Sequence, residues 1–165
     1  MNGNTRTAFV IKLNEEQTEF ALNLHQLLND LHSNASEEVL IDIIEGKNNS
    51  NNWKELSSKY GDALIDHVFG MFEQSGALDS DFFTAQLFNV SSFPKGLKVY
   101  GEEFLEDFLA AFVQTLVTKF ELRPVLFSIA YSSEDFIEDE FGGMAFRVSV
   151  DDTQSFSTQE WIDSF

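Results

Sequence analysis

Apolar residues recur along this chain with two different periods, and each change of period marks an element. Thr7–Leu13 alternates like a strand, with Phe9, Ile11 and Leu13 on one side and Ala8 and Val10 on the other. Asn14 then predicts a helix N-cap, with Gln17 at the reciprocal capping position and Glu15 and Glu16 at the positive helix end. Phe20, Leu24, Leu27, Leu28 and Leu31 follow at helical spacing. Ser36 predicts the cap of a second helix through Glu45, stopped by Gly46, with Val39, Leu40, Ile43 and Ile44 inward. The Asn-rich tract from Lys47 to Asn52 reads as a solvated loop. Two further helical pieces are expected over Trp53–Tyr60 and Asp62–Ser75, divided at Gly61. The second of them buries Leu64, Ile65, Val68, Phe69 and Phe72.

Strand composition returns in Phe82–Val90, and Pro94 with Gly96 marks a turn. Glu102–Glu121 is expected as one long helix with Phe104, Leu105, Phe108, Phe112, Leu116 and Phe120 on its apolar stripe, ended by Arg123-Pro124. Val125–Tyr131 and Gly143–Val150 are strand-like, Asp151-Asp152 makes a turn, and Thr153–Phe156 pairs back. Gly142-Gly143 reads as a turn or bulge between Phe141 and Met144. Ser157 with Glu160 forms a capping box for a terminal helix carrying Trp161, Ile162 and Phe165. The order predicts an α+β fold: an antiparallel sheet of about 3–5 strands packed against a layer of helices, in a single domain spanning residues 1–165.

Composition supports a folded core. Apolar residues make up 43% of 165, and eighteen are Phe. Each fully enclosed Phe contributes on the order of 2–3 kcal/mol. So many large apolar side chains also raise the expectation of a homodimer with an apolar seam. Without cysteine there is no disulfide framework and no thiolate chemistry. Residues Met1–Thr7 hold no apolar signal core, and no apolar run approaches the roughly 20 residues that span a bilayer, so a cytoplasmic protein is expected.

Charge changes the picture most. Twenty-eight acids against ten bases give a formal net charge of -18, a self-repulsion that opposes compactness. From Leu13 to Gly46 there are eight acids and no base; from Ser132 to Phe165 there are nine acids and one base, Arg147. Halophilic adaptation fits the acids but not the eighteen Phe and eleven Asn. The absence of a basic stripe opposes direct nucleic-acid binding, and the charge opposes adsorption to anionic membranes.

The densest run is Glu134, Asp135, Glu138, Asp139 and Glu140, five carboxylates in seven residues, which belong in water or against cations. It lacks the alternation and central glycine of a calcium loop, so neither metal nor cofactor is expected. Asp151 and Asp152 add two more acids. Glu15 with Glu19, Glu38 with Asp42, Asp42 with Glu45, Glu102 with Glu106 and Glu103 with Asp107 sit three or four residues apart. On a helix such pairs share a face about 5–6 Å apart. Rows of this kind resemble the closely spaced charges of a DNA backbone to a basic cleft. His25, His32 and His67 lack the spacing that grips a zinc ion and read as rim or partly buried side chains.

The segment Glu140-Phe141-Gly142-Gly143-Met144-Ala145-Phe146, followed by Ser157-Thr158-Gln159-Glu160-Trp161-Ile162, resembles one seen in small phage and mobile-element proteins of unassigned role. In size and charge the whole chain resembles phage-encoded DNA mimics, including anti-restriction and anti-CRISPR proteins. That resemblance implies a non-enzymatic inhibitor of a basic nucleic-acid-binding protein, such as a CRISPR or restriction complex. A second expectation is an acidic adaptor or immunity protein for a cationic toxin or enzyme. A third, an enzyme using paired carboxylates, requires a concave pocket that holds acids of raised pKa.

Overall fold

The computed structural model describes residues 3–33, 37–47, 49–76, 82, 85–133, 142–150 and 152–157. Its elements run β1 (Gly3–Lys12), α1 (Glu15–Ser33), α2 (Glu37–Ile44), α3 (Asn51–Tyr60), α4 (Asp62–Ser75), β2 (Asn89–Phe93), β3 (Gly96–Glu102), α5 (Glu106–Phe120), β4 (Val125–Ser133), β5 (Gly142–Ser149) and β6 (Asp152–Ser157). The strands form one six-stranded sheet in the order β2-β3-β1-β4-β5-β6, every neighbouring pair antiparallel. The α+β class is as expected, with one strand more than the sequence suggested.

Helix starts follow local chemistry. Asn14 Oδ1 accepts from the Gln17 amide at 2.8 Å, and the Asn14 amide donates to Gln17 Oε1 at 3.0 Å, which completes the capping box of α1. At the end of α2, Gly46 takes a left-handed φ of 68° while the Lys47 amide returns to the Asp42 carbonyl at 2.9 Å. Ser50 caps α3 by accepting from the Trp53 amide at 3.1 Å. Asn51 and Asn52 therefore belong to a helix rather than to the expected loop, because a good cap outweighs the weak propensity of Asn.

The core lies between one face of the sheet and the helices. Ile11, Leu97, Val99, Phe127, Ile129, Phe146 and Val148 line the sheet side, against Leu24, Leu27, Leu28 and Leu31 of α1 and Phe108, Phe112, Leu116 and Val117 of α5. Phe9, Phe127 and Phe146 stack across β1, β4 and β5 with centroids 4.5 and 4.9 Å apart. Helix α5 is buried from Phe108 through Gln114, as befits a helix packed on more than one side. Its one buried polar side chain, Gln114, donates through Nε2 to the Ser149 carbonyl and to Thr118 Oγ1, while its Oε1 accepts from Thr153. These bonds tie the β5–β6 hairpin to α5.

Several expected boundaries move. Residues Leu97–Tyr100 belong to β3, which continues to Glu102. Glu103 has a φ of 54°, and α5 begins only at Glu106. Glu102 and Glu103 thus precede the helix, so the pairs with Glu106 and Asp107 are not helical rows. Among the described residues of the expected Phe82–Val90 strand, Phe82 is helical, Gln86 makes one isolated parallel bridge to Phe104, and β2 starts at Asn89. Here Phe82 and Phe88 are buried under the helices, a destination that strand composition does not distinguish. Gly142 and Gly143 are ladder positions opposite Tyr131 and Ala130 rather than a turn or bulge. Ser149 pairs with Asp152, so Asp152 opens β6 instead of lying in the turn. The terminal helix expected after Ser157 lies outside the described residues.

Candidate functional site

Charge is partitioned by layer. The six strands hold four bases (Arg6, Lys12, Lys98, Arg147) against two acids (Glu102, Asp152), a net +2 on a chain of net -18. Between Leu13 and Gly76, the span of α1–α4, twelve acids face three bases. One sheet face packs on the helices, so the charged residues of the strands, bases in the majority, take the outward positions, while the solvent sides of the helices carry most of the acids.

Glu15, Glu16 and Glu19 are exposed in the first turns of α1, two of them where the helix dipole favours negative charge. Glu38 is exposed on α2, but its row is partly occupied. Asp42 is half-buried and accepts from Asn52 Nδ2 at 2.9 Å. Glu45, one residue beyond α2, pairs with Lys47 Nζ at 2.8 Å, and that contact raises the lysine pKa. Asp152 is exposed at the start of β6. Glu134, Asp135, Glu138, Asp139, Glu140 and Asp151 lie outside the described residues.

The spacing rule that selects Glu15 and Glu19 applies equally to α4. Asp62, Asp66 and Glu73 stand one and then two turns apart and are all exposed. Asp62 accepts from Ser57 Oγ. Exposed Glu55 lies on the neighbouring α3.

The histidines divide by role. His25 and His32 bring Nε2 within 2.7 and 2.8 Å of the Phe88 and Ala85 carbonyls and so anchor the segment leading to β2. Burial lowers the His25 pKa, opposed in part by the Phe88 bond. His67 is half-buried, edge-on to Phe20 at 5.5 Å. Its pKa is lowered first by burial and then by the charge of Lys119, with Asp66 opposing. His67 borders a polar cleft of about 560 Å³ between α4, α5 and the start of β6, together with Asp66, Gln74, Thr115, Lys119 and Asp152. The cleft brings Asp66 and Asp152, from distant parts of the chain, to one concavity. Among the described residues no group of three or more His, Asp or Glu is placed to hold a metal ion. No helix among them is long and apolar enough to cross a membrane.

The opposite face of the sheet is a different surface. Val10, Phe93, Tyr100, Leu126 and Phe156 are exposed large apolar side chains, and the ladder registers place all five on the side away from the helices. A hollow of about 690 Å³ opens there beside Arg6, Ala8, Tyr100, Glu102, Ser128 and Ala130.

Compared with protein-family models, curated proteins and solved structures, the chain matches none. Its chemistry is therefore read from its own residues.

Proposed function

We propose that this chain is a non-enzymatic acidic inhibitor whose helical layer enters the basic nucleic-acid-binding cleft of another protein, with a bacterial defence complex of the CRISPR or restriction kind as the target class. The observation that carries this reading is the charge partition, with twelve acids against three bases between Leu13 and Gly76. Exposed Glu15, Glu19, Asp62, Asp66 and Glu73 recur at helical-turn spacings. Carboxylates about 5–6 Å apart approach the density of phosphates along a strand and would release the same counterions from a basic groove. The 134–140 run, between β4 and β5, extends the acidic set in sequence.

The test is competition. The full chain is titrated into a purified DNA-bound restriction enzyme or CRISPR complex, and release of labelled DNA is followed by fluorescence anisotropy. DNA should be displaced near about 0.05 M salt and far less near 0.5 M, as screening predicts. The charge-reversed pairs Glu15→Lys with Glu19→Lys, and Asp62→Lys with Asp66→Lys, should each lose at least about tenfold in displacement, on the order of 1.4 kcal/mol. Binding without displacement would favour an adaptor or immunity role, and displacement insensitive to salt would overturn the mimic.

A further inference from the structure

We propose that the open face of the sheet is an interface at which two copies of this chain pair through a two-fold axis. Among the described residues, five of the six exposed large apolar side chains gather on this face, Leu126 at 71% and Phe156 at 52% exposure. Six strands about 4.8 Å apart and about six residues long span roughly 25 by 20 Å. Two such faces together bury on the order of 1,000 Å², near the lower bound for a specific interface. Charge selects the occupant. Two chains of -18 repel through their helical layers, whereas the strands carry net +2, so face-to-face pairing sets the acidic layers farthest apart.

The registers supply self-complementarity, which a two-fold interface requires. Ala8 lies opposite Tyr100, and Arg6 opposite both Glu102 and Ala130, so Ala8, Tyr100 and Ser128 form one level across β1, β3 and β4. A two-fold axis crossing the strands at that level lays the projecting Leu126 of one copy over Ala130 of the other, at the hollow floored by small residues. The same operation sets Lys98 of one copy over Glu102 of the other, in both directions. Glu102 already pairs with Arg6 of its own chain at 3.3 Å, so each carboxylate would sit between two cations.

This pairing is independent of the cationic-partner reading and responds oppositely to salt. Sedimentation of the full chain at rising concentration should show a monomer of 18.7 kDa converting to twice that mass. Dimerisation should tighten between about 0.05 M and 0.5 M salt, because the dominant effect is screening of net repulsion. Leu126→Glu, at an exposed position that leaves the core intact, should raise the dimer dissociation constant at least tenfold with an unchanged circular dichroism spectrum. Lys98→Glu should weaken pairing, and adding Glu102→Lys should restore it. A monomer at all concentrations and salts overturns the proposal, as does a dimer indifferent to Leu126→Glu. A dimer that dissolves with salt also overturns it, by pointing to contact between an acidic layer and a basic face.

Discussion

At the residue scale, the capping box of α1 was fully legible, because Asn14 and Gln17 act within one turn and need no tertiary partner. His25 was legible only as partly buried. Its bond to the Phe88 carbonyl spans 63 residues and depends on how the chain returns beneath α1. That environment has a consequence for acid stability. Burial holds the folded His25 pKa below its ordinary value of 6.5, so the unfolded chain takes up the proton first as pH falls past 6.5. The His25 contribution is therefore intact above that value and is lost on acidification, by at most about 1.4 kcal/mol per pH unit. Carboxylate effects are common to wild type and variant and cancel between them. Urea unfolding of wild type and His25→Gln from about pH 7.5 down to about pH 5 should show the wild-type advantage shrinking steadily. A constant difference would mean that the imidazole titrates alike in both states.

At the element scale, long periodic helices were readable and the segment from Phe82 to Glu106 was not. Phe favours strands and buried helix faces alike, and Glu102-Glu103 looked like a helix start because acids favour the first turn. What bounds β3 is tertiary. At its start Gly96 passes β1 so closely that a Cβ would lie 2.2 Å from the Ile11 carbonyl oxygen, and at its end the Glu103 amide donates a last bond to the Thr5 carbonyl at 2.8 Å before the chain turns away at a φ of 54°. The hairpin–helix junction around Gln114 was equally hidden, since a glutamine within an apolar helix announces no partner. It makes a sharp prediction. Gln114→Leu leaves the Ser149 carbonyl and the Thr153 hydroxyl without their partner and should destabilise the fold by about 1–3 kcal/mol in urea unfolding. Thr153→Val introduced into that variant should cost less than it does alone, because both belong to one network. Additive losses would show that Gln114 acts through volume and not through its amide.

At the scale of the whole molecule, the sequence displays how many charges there are, and only the fold displays where they face. Arg6 and Lys12 of β1, Lys98 of β3 and Arg147 of β5 come from three separate strands, yet the registers place them on one side of one sheet. The complementary crowding of acids on the helices should oppose folding, and Phe burial on the inner face offsets it. Stability should therefore rise with salt, the reverse of what an ion-paired surface would give. Among the described residues the surface pairs Arg6–Glu102, Lys47–Glu45 and Lys59–Asp30 are exposed or partly so, and solvent screening leaves them little to add to stability. Neutralising acids beyond the first helical turns relieves the repulsion without losing a favourable dipole contact, and for Glu73, in the last turn of α4, it also removes an acid from the negative end of the helix. The triple variant Glu19→Gln, Asp66→Asn, Glu73→Gln should gain about 0.5–1 kcal/mol at low salt, and the gain should vanish near about 0.5 M. The same variant should displace DNA from a basic target less well, if those carboxylates are its contacts. A variant that becomes more stable while losing affinity marks the acidic layer as kept for binding against the interest of the fold. Equal affinity in both would leave solubility as the reason for the charge.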